Sequence, residues 1–102
     1  MVLTSKQKAE LKESICDSLC NESEVIKIIL FGSFVYSDSP NDIDIAVIQD
    51  SSQGYLTLAL KYRKKMRSLA HQIPIDVLPL KAQASDSVFM DEINAGEVIY
   101  ER

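Results

Sequence analysis

Ile28-Ile29-Leu30-Phe31-Gly32-Ser33, followed eight residues later by Asp42-Ile43-Asp44-Ile45-Ala46-Val47, is the stretch on which the reading of this chain turns. Residues 25–31 form a short, nearly continuous apolar run rich in β-branched side chains, the pattern of a strand buried on both faces. Gly32-Ser33 ends it. The eight residues of the connection, 34–41, close with the turn-forming Ser39-Pro40-Asn41. A second strand is predicted over residues 42–49. Side chains alternate along a strand, so Asp42 and Asp44 share one face while Ile43, Ile45 and Val47 share the other.

Two carboxylates placed so closely on one face repel each other, and burying them without a counter-charge would cost several kcal/mol. A divalent cation resolves that conflict, and hard oxygen donors suit Mg²⁺. Asp76 repeats the anomaly: it sits in the middle of the apolar run Ile73-Pro74-Ile75-Asp76-Val77-Leu78. If that strand neighbours the second, three acids converge, and two metal ions about 4 Å apart could clamp the attacking and leaving oxygens of a phosphoryl displacement. Gly32 lets backbone approach a ligand closely. With the Ser33 hydroxyl and the helical turn expected to follow, it offers donors to phosphate oxygens. Gly-Ser alone means little. Joined to Asp-x-Asp and a third Asp, it is specific.

Around this core an amphipathic helix is expected over residues 4–20, with Leu11, Ile15 and Leu19 on one stripe. A long helix is predicted over residues 55–71, its inner face formed by Tyr55, Leu58, Ala59, Tyr62, Met66, Leu69 and Ala70. A third strand covers residues 73–80. A short helix over 85–95 puts Val88, Phe89 and Ile93 inward and stops at Gly96, and residues 98–100 add an edge strand. Such alternation implies an α/β (α+β) fold: a mixed sheet of about four strands flanked by helices.

The 102 residues suit a single domain over 1–102. No apolar run is long enough to cross a bilayer, and lysines and glutamates interrupt the first twenty residues, so a cytoplasmic protein with no membrane partner is expected. A net charge of −4 makes nucleic acid an unlikely partner. Cys16 and Cys20 lie beside the apolar stripe of the first helix and are expected to pack there, because His71 is remote in sequence and no other Cys exists to complete a zinc site.

The quoted residues resemble the signature of the DNA polymerase β-like nucleotidyltransferase superfamily, in its smallest branch, the minimal nucleotidyltransferase proteins. The likeness runs from the first strand through Tyr100. It implies that Gly32 and Ser33 bind the triphosphate, that Asp42 and Asp44 are metal ligands, and that Asp76 is the third acid, assisting deprotonation of the acceptor hydroxyl. It also implies Mg²⁺, in a two-metal site, and ATP as substrate. The implied partner is an all-helical HEPN-type toxin, silenced by transfer of AMP to a tyrosine. The connection of residues 34–41 is shorter than the family's usual spacing. It also carries no Arg where many members have one.

Competing readings remain. Nucleotidyl transfer to a small molecule or an RNA end would use the same acids, and a non-catalytic nucleotide- or partner-binding module would use none of them catalytically. The missing acceptor surface must come from a partner protein or a homo-oligomer. The basic group Lys61, Arg63, Lys64, Lys65 and Arg67 reads first as a solvated helix face, and second as a surface for an acidic partner or nucleotide phosphates. His71 is expected to meet a helix dipole. Tyr36 is expected to pack within the short connection, with stacking on a base as the other option.

Overall fold

Residues 2–81, 91 and 93–102 are described by a computed structural model of the chain. The first element, α1 (Ser5–Leu19), starts where the sequence offers a reciprocal cap: Thr4 accepts from the Gln7 N–H while the Gln7 side chain accepts from the Thr4 N–H. Its Leu11, Ile15 and Leu19 are buried, as their helical spacing requires. Then follow β1 (Val25–Phe31), the single turn α2 (Ser33–Tyr36), β2 (Ile43–Gln49), α3 (Tyr55–Lys65), α4 (Arg67–Ala70), β3 (Ile75–Lys81) and β4 (Glu97–Glu101).

The four strands form one mixed sheet in the order β3-β2-β1-β4. β1 is antiparallel to both β2 and β4, whereas β2 and β3 run parallel. A parallel pair needs a crossover, which α3 and α4 provide. β1 lies inside the sheet with its apolar run intact, and the expected edge strand is β4. The larger core cluster joins Ile28, Leu30, Ile43, Ile45 and Val47 to helical residues such as Ile15, Leu58 and Tyr62. The opposite face carries a smaller cluster of Ile29, Phe31, Ala46 and Ile93. The acids therefore share a face with Ala46, on the side that α1 and α3 leave open.

Two expectations are corrected. The predicted helix 55–71 breaks at Met66, whose backbone (φ −105, ψ 17) leaves the helical region. The break lets Met66, Leu69 and Ile73 all turn inward, while Tyr55 and Ala70 lie exposed. Asp76 is exposed too, because β3 is an edge strand. In the predicted helix 85–95, Val88 and Phe89 lie outside the described residues; Ile93 is buried, and Gly96 follows the helical turn. Pro79 sits in the middle of β3. The Pro74 carbonyl faces β2, accepting from the Ile43 N–H at 2.9 Å. By alternation, position 79 then points to the outer edge, where its missing N–H is not needed. No helix among the described residues is long and apolar enough to cross a membrane.

An ion-pair cluster ties α3 to the turn before β1. Lys65 and Lys61 approach the two Glu22 oxygens at 2.8 and 3.1 Å, and Lys61 also reaches Glu24 at 3.1 Å. The fully buried Tyr62 donates its hydroxyl to Glu24 at 2.8 Å. Lys65 and Lys61 hold Glu22 below the ordinary glutamate range. Burial works to raise Glu24, but the Tyr62 hydroxyl and Lys61 outweigh it and bring that carboxyl down as well. Burial, then the hydrogen bond to Glu24, pushes the Tyr62 phenol far above its usual range.

Tyr62→Phe should therefore destabilise the fold by about 1–2 kcal/mol in urea unfolding, because a buried donor to a carboxylate is lost. Because the folded-state values of both glutamates are depressed, their contribution is complete above the unfolded glutamate pKa of about 4.3 and fades as pH falls through the lower folded values. Replacing Lys61 by Met should flatten that acid limb of the stability–pH curve.

Candidate active site

The hairpin of β1 and β2 and the parallel pairing of β2 with β3 bring the acids to one end of the sheet. Asp44 stands opposite Phe31 on one side and opposite Asp76 on the other. Asp42 precedes β2 by one residue and faces the same way. Each of the three offers a carboxylate oxygen, and these atoms all lie within 4.8 Å of one another. Asp42 and Asp44 are half-buried and Asp76 is exposed. The convergence anticipated from sequence is thus present, although burial of Asp76 is not what makes it costly. Mutual repulsion is. Three anionic oxygens at that spacing form a donor set that fits a hard divalent cation.

Gly32 closes this end of the sheet from the β1 side. Its φ of +77 lies where L side chains are strained, and a Cβ built there would overlap the Asp44 Oδ2. The glycine is required by the close approach of backbone to carboxylate. Ser33 follows as the first residue of α2 and is half-buried.

The short connection is anchored from α1. Lys8 donates to the Phe34 carbonyl at 2.7 Å and to the Ser37 carbonyl, and its ammonium lies 5.1 Å from the Phe34 ring centroid. The Leu3 N–H donates to the Asp38 carbonyl at 2.7 Å. A cation therefore does serve this segment, but from below, on the carbonyl ends of the turn. Nothing in a local reading of residues 34–41 signals it. Tyr36 does not pack within the connection as expected; it is 81% exposed.

Beyond Asp76, on the outer side of β3, stands a residue that the sequence reading had grouped with a solvated face. Arg63 lines an open groove of about 370 Å³ together with Asp44, Asp76, Tyr55 and Leu78. It also lines a second concavity of about 300 Å³ with Asp76, Ile75 and Met66. Lys61 and Lys65, on the opposite flank of α3, are engaged by the glutamates. The basic cluster is thus divided by helical geometry, and the available signal was angular: Arg63 lies 200° from Lys61 around an ideal helix. A larger hollow of about 480 Å³ lies between α1 and the turn before β3, lined by Gln7, Glu10 and His71, away from the acids. His71 is the C-cap of α4. Cys16 and Cys20 are free thiols; Cys16 donates to the Ile99 carbonyl at 3.2 Å, tying α1 to β4, and Cys20 is exposed.

Residues 13–102 match the family profile described as Polymerase beta, Nucleotidyltransferase. The chain belongs to this family. No curated protein matches it in sequence. Among solved structures, this nucleotidyltransferase chain is similar to one from a Shewanella oneidensis complex of a tri-AMPylated HEPN toxin with its MNT antitoxin. The TM-score is 0.60 at 21% identity, covering 93% of this chain and 73% of that one. It is similar to a chain of the MntA–HepT toxin–antitoxin structure, with TM-score 0.60 at 19% identity over 92% of this chain and 73% of that one. A chain from a toxin–antitoxin structure with AMP-PNP matches with TM-score 0.64 at 21% identity over 89% of this chain and 73% of that one. At such identities the likeness establishes the fold, in agreement with the mixed four-stranded sheet.

Gly32→Ala should destabilise the chain by roughly 1–3 kcal/mol through backbone strain and displacement of Asp44. Chemical denaturation reads the loss, and an unchanged midpoint would contradict the close approach described here.

Proposed function

We propose that this nucleotidyltransferase domain, over residues 1–102, transfers AMP from ATP to a tyrosine hydroxyl of a HEPN-type helical toxin, and so acts as an antitoxin. The observation that carries the reading is the meeting of Asp42, Asp44 and Asp76 beside the Gly32 turn. The named structural neighbours support it: one holds an AMPylated HEPN toxin with its MNT antitoxin, and another holds AMP-PNP.

Asp42, Asp44 and Asp76 would hold Mg²⁺, in a two-ion arrangement. The ions would supply charge neutralisation for the triphosphate and for the oxygens entering and leaving phosphorus. Gly32 and Ser33 present backbone N–H and hydroxyl donors to the phosphate tail. Asp76, the most exposed of the acids, would receive the proton of the incoming hydroxyl. The new bond joins the acceptor oxygen to the α-phosphorus. The bond from the α-phosphorus to the bridging oxygen breaks, and pyrophosphate leaves with the electron pair. The protein's part is to position and to neutralise.

Incubation with α-labelled ATP, Mg²⁺ and a HEPN-type protein should label that protein, and a chelator should stop the reaction. Asp42→Asn and Asp44→Asn should each lower transfer by about 10²-fold or more, with an unchanged circular dichroism spectrum and equal or higher metal-free stability as repulsion is relieved. Undiminished transfer by the double variant would sink the reading.

A further inference from the structure

In-line displacement requires the acceptor oxygen and the departing pyrophosphate to lie on opposite sides of the phosphorus. The sheet order sets the geography for this chain. Gly32 and Ser33 follow β1, the acids Asp42 and Asp44 belong to the neighbouring β2, and Asp76 lies on the outermost strand β3. If the triphosphate tail rests on the Gly32 side, the acceptor must arrive over the outer edge of β3. That is where Arg63 stands. It shares both of its concavities with Asp76 and neither with Gly32, which lines a small hollow with Tyr36 and Gly96 that adjoins the larger groove through Phe31.

We infer that the groove between α3 and β3 is the acceptor subsite, and that Arg63 holds a phenolic side chain presented there by a protein surface. The inference rests on the nucleotidyl-transfer reading above and extends it to the acceptor side. Arg63 is exposed, and no described acid lies within ion-pairing distance of it, although it lines a groove with two carboxylates. Its guanidinium is therefore available to a ligand. A planar cation suits the face of an aromatic ring and favours an oxygen that is losing its proton. The remaining walls are largely apolar: Phe31, the half-exposed Tyr55 ring, Val77 and Leu78.

The surroundings fit a protein better than a free metabolite. Leu56, Leu60 and Arg63 lie at helical spacings of four and three on one stripe of α3. The two leucines are 69% and 58% exposed. A small hydroxylated molecule has no use for that stripe, whereas the apolar surface around a presented tyrosine does. The groove is also open to solvent, so a side chain can enter while still attached to its own fold.

The test compares the wild type with Arg63→Ala, Arg63→Lys and Leu60→Glu, using N-acetyltyrosinamide and the HEPN-type protein as acceptors. ATP affinity with Mn²⁺ is measured separately by calorimetry. Arg63→Ala should raise the KM for both acceptors about tenfold while leaving ATP affinity within about twofold, and Arg63→Lys should recover part of the loss. Leu60→Glu should weaken only the protein acceptor. Weakened ATP binding in Arg63→Ala with an unchanged acceptor KM would place the arginine on the triphosphate and overturn the inference. Unchanged constants throughout would overturn it equally. Failure of the wild type to modify either acceptor is a different result, because it removes the transfer reading before any variant is compared.

Discussion

Repulsion among three carboxylates is the constraint around which this small sheet is arranged. Oxygens of Asp42, Asp44 and Asp76 lie within 4.8 Å of one another, and no flexible loop would hold them there in the absence of a cation. The sheet does so because position is fixed by backbone pairing: Asp44 and Asp76 are register partners on adjacent parallel strands. The opposing contribution comes from the other face of the same strands. There Ile43, Ile45 and Val47 are fully buried against α1 and α3. One face supplies hydrophobic stabilisation, and the alternation of the strand places the electrostatic strain on the other.

The helices do more than cover that core. α1 carries Lys8 to the carbonyl end of α2, so the residue that anchors the turn lies far away in sequence. α3 is fixed on its inner flank by the cluster of Lys61, Lys65, Glu22 and Glu24, with Tyr62 beneath it. With rotation about its axis set in this way, its other flank delivers Arg63 to the side of Asp76. A helix pinned on one side becomes a rigid arm on the other.

Much of this was legible in the chain. The bounds of β1 follow from its apolar run, and the shared face of Asp42 and Asp44 follows from the two-residue period. The third acid was identifiable because a carboxylate is out of place in the apolar strand around position 76. Other features were hidden for physical reasons. The break at Met66 has neither Gly nor Pro to announce it; it arises because Met66, Leu69 and Ile73 must reach the same core. The exposure of Asp76 depends on strand order, which periodicity does not encode. Arg63 looked like one cation among five. Its separation from Lys61 and Lys65 appears only when the partners of each flank are known, and Lys8 acts across a distance that no local pattern spans.

The mixed pairing of the sheet has a consequence for how the molecule matures. β1 and β2 form an antiparallel hairpin joined by a short connection, so Asp42, Asp44 and the Gly32 turn can assemble from neighbouring chain. The parallel partner arrives only after the whole crossover has docked, a contact of longer range and slower formation. Without that pairing the hairpin brings together only two of the three acids, and the groove beside Asp76 is not formed. The three-acid cluster is therefore complete only once β3 has paired with β2.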